Sequence, residues 1–366
     1  MSLIATRLQN WRVSSPELDR NAERAGEHGA LDLFVSQTNQ RGGILSDELK
    51  RRAFASIGNT VQVPVLNYNG AIEISNTRTC TISDAENTSA LYTVVFSTYA
   101  TGFTMVPALY MNNEIGYDED FAHKMRAVIR AFGDALDTAA IAALEAAKTQ
   151  VYADPLQYTI TGNSIQVPMQ MATEILGDLN PMMRANKFTE PIHIVGNAGI
   201  DSLVRKLAQH DIYNAVNKRN EYAGKIFHFT PNIANEENVN GTFYAVADGN
   251  VGILTRVDRE AVRRARAHSH EWDTVFMPEL GIQMGTHYYN AVGDQSEIAG
   301  AASADLTCGI KEYFGFSVDV AFIVAYNEDV TTFANPIMKG EIASPGTDTP
   351  IANPVYVVNA ADFHGE

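Results

Sequence analysis

Three groups of side chains have types and spacings that chemistry could use. His268 and His270 flank Ser269, and His287 follows within the same region. Two imidazoles at i and i+2 of a strand fall on one face and could bind a metal. Neither cysteine is nearby, the local acids are Glu271 and Asp273, and there is no His-x-x-x-His pair for a helix. Surface or interface histidines are therefore the favoured reading. Arg256, Arg259, Arg263, Arg264 and Arg266 form the densest basic cluster, interleaved with Asp258 and Glu260. Nucleic acid, an acidic neighbouring subunit and a plain solvated face all remain open. The planar fork of arginine, which pairs carboxylates, favours the subunit over nucleic acid. Gly196-Asn197-Ala198-Gly199 resembles a phosphate-cradling turn, but no Lys or Asp follows at the required spacing. A strand-to-helix turn explains it better. Asp118-Glu119-Asp120 invites a metal reading, but a helix N-terminus explains it better. The chain has neither a Gly-x-Ser-x-Gly elbow nor a phosphate loop ending in Gly-Lys-Ser/Thr. The expectation is that no residue is catalytic, cofactor-binding or metal-binding, and that the protein is not an enzyme and needs no cofactor.

Composition narrows the classes further. The 366 residues carry 27 Lys and Arg against 43 Asp and Glu, a formal net charge of −16. That balance disfavours a dedicated nucleic-acid-binding domain or an anionic membrane surface. It suits a protein that must stay soluble at high concentration. Cys80 and Cys308 are too sparse for a disulfide framework and are expected to be reduced thiols in a cytosolic setting, with a Cys80–Cys308 bridge as the minor alternative. Residues 1–11 lack an apolar signal core, and the apolar run 318–326 contains Asp319 and is far too short to span a bilayer.

The elements that would carry these residues differ sharply along the chain. Residues 1–52 are polar and charge-dense. A helix is expected to start at Ser15-Pro16-Glu17 and end at Gly26 and Gly29, followed by a flexible connector at 37–43. A second short helix is expected from Ser46-Asp47-Glu48 through Phe54. From 53 to 116 the only charged side chains are Glu73, Arg78, Asp84, Glu86 and Glu114. Val61, Val63 and Val65 alternate with polar neighbours or proline, as do Thr77, Thr79 and Thr81, and a long run starts at Tyr92-Thr93-Val94. Turn clusters lie at 67–70 and 84–89. This predicts a long antiparallel hairpin with no core of its own.

Residues 117–148 predict a long helix. Phe121, Met125, Val128, Phe132 and Leu136 make its stripe, extended by Ala139, Ala143 and Leu144. Helix and strand then alternate: a helix at 168–179, a strand at 191–196, and a helix at 198–210 with Ile200, Leu203, Val204 and Leu207 on one face. Strands follow at 225–230, 242–247 and 251–257, with long strands in 272–289 and 312–326. Beyond Glu328 the chain carries Pro336, Pro345, Pro350 and Pro354 and is expected to be a tail with little core.

This order resembles the Hong Kong 97-type major capsid proteins of tailed bacteriophages. Gly58-Asn59-Thr60-Val61-Gln62-Val63-Pro64 looks like the strand that begins the extended E-loop, and 92–106 like its return. Residues 117–148 look like the spine helix of the P-domain. Residues 191–197 with the following helix, then Gly224-Lys225-Ile226-Phe227 and 243–257, look like the A-domain and its passage back to the P-domain. The resemblance implies an α+β fold with an N-terminal arm (1–52), E-loop (53–116), spine helix (117–158), A-domain (159–250), P-domain sheet and return strands (251–330) and C-terminal tail (331–366). It implies a shell subunit forming pentamers and hexamers around double-stranded DNA without reading its sequence. Location in the virion capsid after assembly in the host cytoplasm, a portal and optional decoration proteins come with it. Some relatives crosslink an E-loop lysine to a neighbour; no Lys occurs between Lys50 and Lys124, so no such bond is expected from the E-loop. The short N-terminus implies a separate scaffolding protein or prior cleavage. An encapsulin-like nanocompartment shell shares the fold and is the nearest alternative; a metal-dependent α/β hydrolase using His268, His270 and His287 is a distant one. On this reading arm, hairpin and tail obtain their burial from sister copies, which offsets the entropy of ordering them.

Overall fold

The computed structural model describes residue 7 and residues 27–39, 44–56, 58–66, 89–110, 115–148, 158–185, 188, 191–208, 221–222, 224–257, 270–292, 310–325 and 336–344. The fold is α+β, built from one long helix, two sheets and a thin hairpin. Helix α1 spans Gly29–Thr38 and α2 Asp47–Ala55; α3 spans Tyr117–Ala147, α4 Ile175–Ala185 and α5 Ala198–Ala208.

Helix α3 runs 31 residues, about 46 Å. Phe121, Met125, Val128, Phe132, Leu136, Ala140 and Leu144 are all buried, as the stripe requires. Its first turn is acidic, and the Glu119 carboxylate accepts the Gly116 backbone N–H at 3.1 Å, satisfying a donor just outside the helix.

That stripe packs on a five-stranded antiparallel sheet. Strand β13 (Ile310–Val324) is its axis. One edge of β13 pairs with β12 (Ile282–Val292) and β10 (Val251–Arg256), the other with β3 (Ser97–Met105); β11 (His270–Met277) pairs with β12. Strand β13 alternates strictly, turning Phe314, Phe316, Val318 and Val320 toward the helix and Tyr313, Gly315 and Ser317 away. The return of the expected E-loop is thus divided: β2 (Ser89–Val95) pairs with β1 (Thr60–Leu66) in the hairpin, whereas β3 belongs to the main sheet.

The second sheet has seven strands in the order β4-β5-β14-β9-β6-β8-β7. These are β4 (Thr159–Thr161), β5 (Ser164–Val167), β6 (Ile192–Gly196), β7 (Glu221–Tyr222), β8 (Lys225–Phe229), β9 (Val239–Ala247) and β14 (Ile337–Ala343). Buried side chains of α4 and α5, including Leu179, Ile200 and Leu203, share a core with Ile192, Ile194, Phe243 and Ala245. Val195, Tyr244, Val246 and Ile337 join instead the core built around α3.

Four expectations need correction. Gly29 begins a helix instead of ending one. Ala30, Leu31, Leu33 and Phe34 of α1 are at most 1% exposed, so this part of the expected arm lies in the core of its own chain. The cause is remote: the Asp137 carboxylate of α3 accepts the Ala30 and Leu31 N–H groups at 2.9 and 3.0 Å and caps α1 from 107 residues away. Second, β14 of the expected tail is an interior strand, parallel to β5 and antiparallel to β9. Its Lys339 and Glu341 pair at 2.6 Å, which permits burial of both charges. Third, the helix expected at 168–179 is a short 3-10 turn at Met169–Met171 followed by α4, which continues through Pro181 because Met182 and Met183 are buried in the core beyond it. Fourth, the expected strand 272–289 is two strands, β11 and β12, joined by a turn at Gly281 with φ +67°. The expected helix at 15–26, the strand around Thr77–Thr81 and residues 345–366 lie outside the described residues.

Candidate functional site

Two surfaces stand out. The first is the base of the β1–β2 hairpin. Register pairs Val61 with Val94 and Val63 with Tyr92 on one face, and Pro64 with Leu91 and Thr60 with Val95 on the other. Val61 and Val94 are buried with Phe96, Leu254, Ala321 and Ile323, so the hairpin root is seated on β10 and β13. Leu91 and Val95 are 66% and 60% exposed.

Arg256 holds this root. Its Nε donates to Asp319 Oδ2 at 2.9 Å, its Nη1 donates to the Ser56 and Gly58 carbonyls and the Ser56 hydroxyl, and its guanidinium lies 4.4 Å from the Phe96 ring centroid. Thr98 donates to the other Asp319 oxygen at 2.6 Å. Arg256 is 5% exposed. It therefore serves neither nucleic acid nor a neighbouring subunit, which corrects both readings for this member of the cluster. Burial without a partner would be costly, and Asp319 on the facing strand supplies the partner. Arg259, Arg263, Arg264, Arg266, Asp258 and Glu260 lie outside the described residues.

The second surface is the face of the five-stranded sheet that points away from α3. Gly102, Gly315, His287 and Trp272 line up across four strands. The two facing glycines leave a stretch of this face without side chains; Gly102 is also packed tightly on its neighbour strand, where a Cβ would lie 2.4 Å from the Phe314 carbonyl oxygen. Beside it rises an aromatic wall. Trp272 stacks on His287 at 3.8 Å, His270 lies 4.8 Å from Tyr289, and Tyr289 stacks on Tyr313 at 4.4 Å. The open groove holds about 450 Å³, with Ala100, Thr104 and Ser317 completing its floor.

Two of the three histidines come together on this face. His270 Nδ1 and His287 Nε2 approach to 2.8 Å across β11 and β12. Burial, then the neighbouring His270, push the His287 pKa below its usual value. His268 lies outside the described residues. Among the described residues no group of three or more His, Cys, Asp and Glu side chains is arranged to hold a metal ion. Asp118, Glu119 and Asp120 sit in the first turn of α3, where Asp120 pairs with Lys124 at 2.8 Å. At the Gly196–Gly199 turn, Asn197 Oδ1 accepts the N–H groups of Gly199 and Thr242, and Gly199 lies against the Asn240 carbonyl. The turn is closed by the protein itself. Cys80 and Cys308 lie outside the described residues. Among the described residues no helix is long and apolar enough to cross a membrane.

Sequence reasoning passed over two further groups. Asp137 also accepts from Thr230 and, at 3.0 Å, from Asn232, which ties α1, α3 and the exit of β8 together. Lys339 reaches Glu341, Glu236 and Glu145 at 2.6, 3.3 and 3.5 Å, and links the end of α3 to the seven-stranded sheet. A lone acid inside the apolar stripe of α3 was the available signal for the first.

No family model matches the sequence, and no curated protein matches it. Solved structures do. The chain is similar to phage capsid structures. The capsid of Ralstonia phage GP4 is 6% identical with a TM-score of 0.48, the likeness covering 92% of this chain and 95% of that one. The capsid asymmetric unit of cyanophage Pam1 is 13% identical with a TM-score of 0.46, over 91% and 95%. A structure from Mycobacterium phage Che8 is 12% identical with a TM-score of 0.47, over 84% and 90%.

Proposed function

We propose that this chain is a shell subunit, the major capsid protein of a tailed bacteriophage. It assembles with copies of itself into pentamers and hexamers of a closed shell around double-stranded DNA in the virion. Its role is structural and involves no catalysis. Scaffolding and portal proteins act with it, and the net charge of −16 suits a container that does not grip its contents.

One observation carries this reading. The outward face of the hairpin, which carries Leu91 and Val95, and the aromatic outer face of the five-stranded sheet are covered by no described element. A two-stranded ribbon is marginal in water, and Leu91 and Val95 on its outward face are exposed. The sheet offers an aromatic wall beside the glycine stretch, where a second backbone can approach closely. The hairpin of one copy fits this stretch of the next, a head-to-tail contact that closes into rings. Because α1 and β14 are buried within their own chain, the hairpin carries this role among the described residues.

The test is an interchain crosslink. Leu91→Cys and Ala100→Cys are made separately in a Cys80→Ser/Cys308→Ser background, mixed under assembly conditions and oxidised. A covalent heterodimer on a non-reducing gel is expected. Assembled particles that yield no heterodimer would overturn the contact.

A further inference from the structure

The histidine pair on the outer sheet face goes beyond a shell role. His270 and His287 lie on neighbouring strands, one step diagonal in a register fixed by the turn at Gly281. Their facing nitrogens, Nδ1 and Nε2, are 2.8 Å apart, and the two rings are within 10° of parallel. Two imidazole ligands of a tetrahedral metal ion sit about 3.3 Å apart, given bonds of about 2.0 Å. Insertion of an ion therefore needs only about half an ångström of separation.

From this convergence we propose that His270 and His287 form a bis-imidazole site for a divalent transition-metal ion such as Ni2+, Cu2+ or Zn2+. Three features support it. Trp272 stacked on His287 and Tyr289 beside His270 limit the rotamers of both rings, which lowers the entropy lost on binding. His270 Nδ1 and His287 Nε2 already face each other, so an ion replaces the proton between them without a ring flip. The site faces the open groove, leaving the remaining coordination positions to water or to a group from a neighbouring copy. Imidazole donors with open positions suit Cu2+ best, then Ni2+ and Zn2+.

The experiment titrates NiCl2, ZnCl2 and CuCl2 into the untagged full-length chain, in the Cys80→Ser/Cys308→Ser background, by calorimetry near pH 7.5. Cu2+ electron paramagnetic resonance follows on the same samples. One saturable site per chain is expected, tightest for Cu2+, with nitrogen couplings from two imidazoles. It should be lost in His270→Asn and in His287→Gln, both of which keep a polar side chain of similar size. Thermal melts confirm that the variants fold. Absence of a saturable site in the parent, or an equal site in the double variant, would overturn the proposal. The measurement uses single chains and does not depend on assembly.

Discussion

Arg256 donates to Asp319 across the β10–β13 pair at 2.9 Å, and both lie under the root of the β1–β2 hairpin. The pair converts a ribbon with little burial of its own into one that leaves the body at a fixed place. Arg256→Ala strands the Asp319 carboxylate, itself largely buried, and should cost about 3 kcal/mol in urea unfolding. Replacing both residues with apolar ones should cost less than Arg256→Ala alone, and the double-mutant cycle measures the coupling.

Asp137 is fully buried and accepts from two backbone and two side-chain donors. Asp137→Ala leaves all four without that acceptor, and a loss of about 3 kcal/mol or more is expected. Thr230→Ala removes one donor and should cost about 1 kcal/mol. Hydrogen exchange should show α1 losing protection first in Asp137→Ala.

Gly133 lies where α3 passes under His28. A Cβ there would stand 2.1 Å from His28 Nε2. Gly133→Ala should therefore destabilise, despite the better helix propensity of alanine. Adding His28→Ala should recover most of the loss in thermal melts.

The ion network at the end of α3 makes stability depend on acid. Burial alone would raise the Glu145 pKa, but Lys148, the Tyr244 hydroxyl and Lys339 outweigh it and hold the group below 4.5. A carboxylate with a depressed folded-state value stabilises above its unfolded value and loses that contribution as pH falls through the folded one. Glu145→Gln should thus be less stable than the parent at about pH 7, and the two urea midpoints should draw together as pH falls through and below the usual glutamate range.

What could be read in advance follows from the range of the forces involved. The stripe of α3 and the alternation of β13 are local patterns, so period alone locates both elements. Helix α1 is short, has no local side-chain cap at His28 and is capped by Asp137, which no window of neighbouring residues contains. Strand β14 carries Lys339, Gly340 and Glu341 at its centre. The two charges pair with each other along the strand, and Gly340 leaves room for the Phe243 ring, whose Cζ would stand 2.2 Å from a Cβ. Both elements read as exposed until their partners are known. The histidine pair was legible as residue types, but its convergence depends on the β11–β12 register.

Sedimentation velocity with negative-stain microscopy of the expressed full-length chain tests the shell reading most directly. Rings of five or six copies, or closed particles, are predicted. A stable monomer at every concentration, with the β1–β2 hairpin protected from protease, would contradict it.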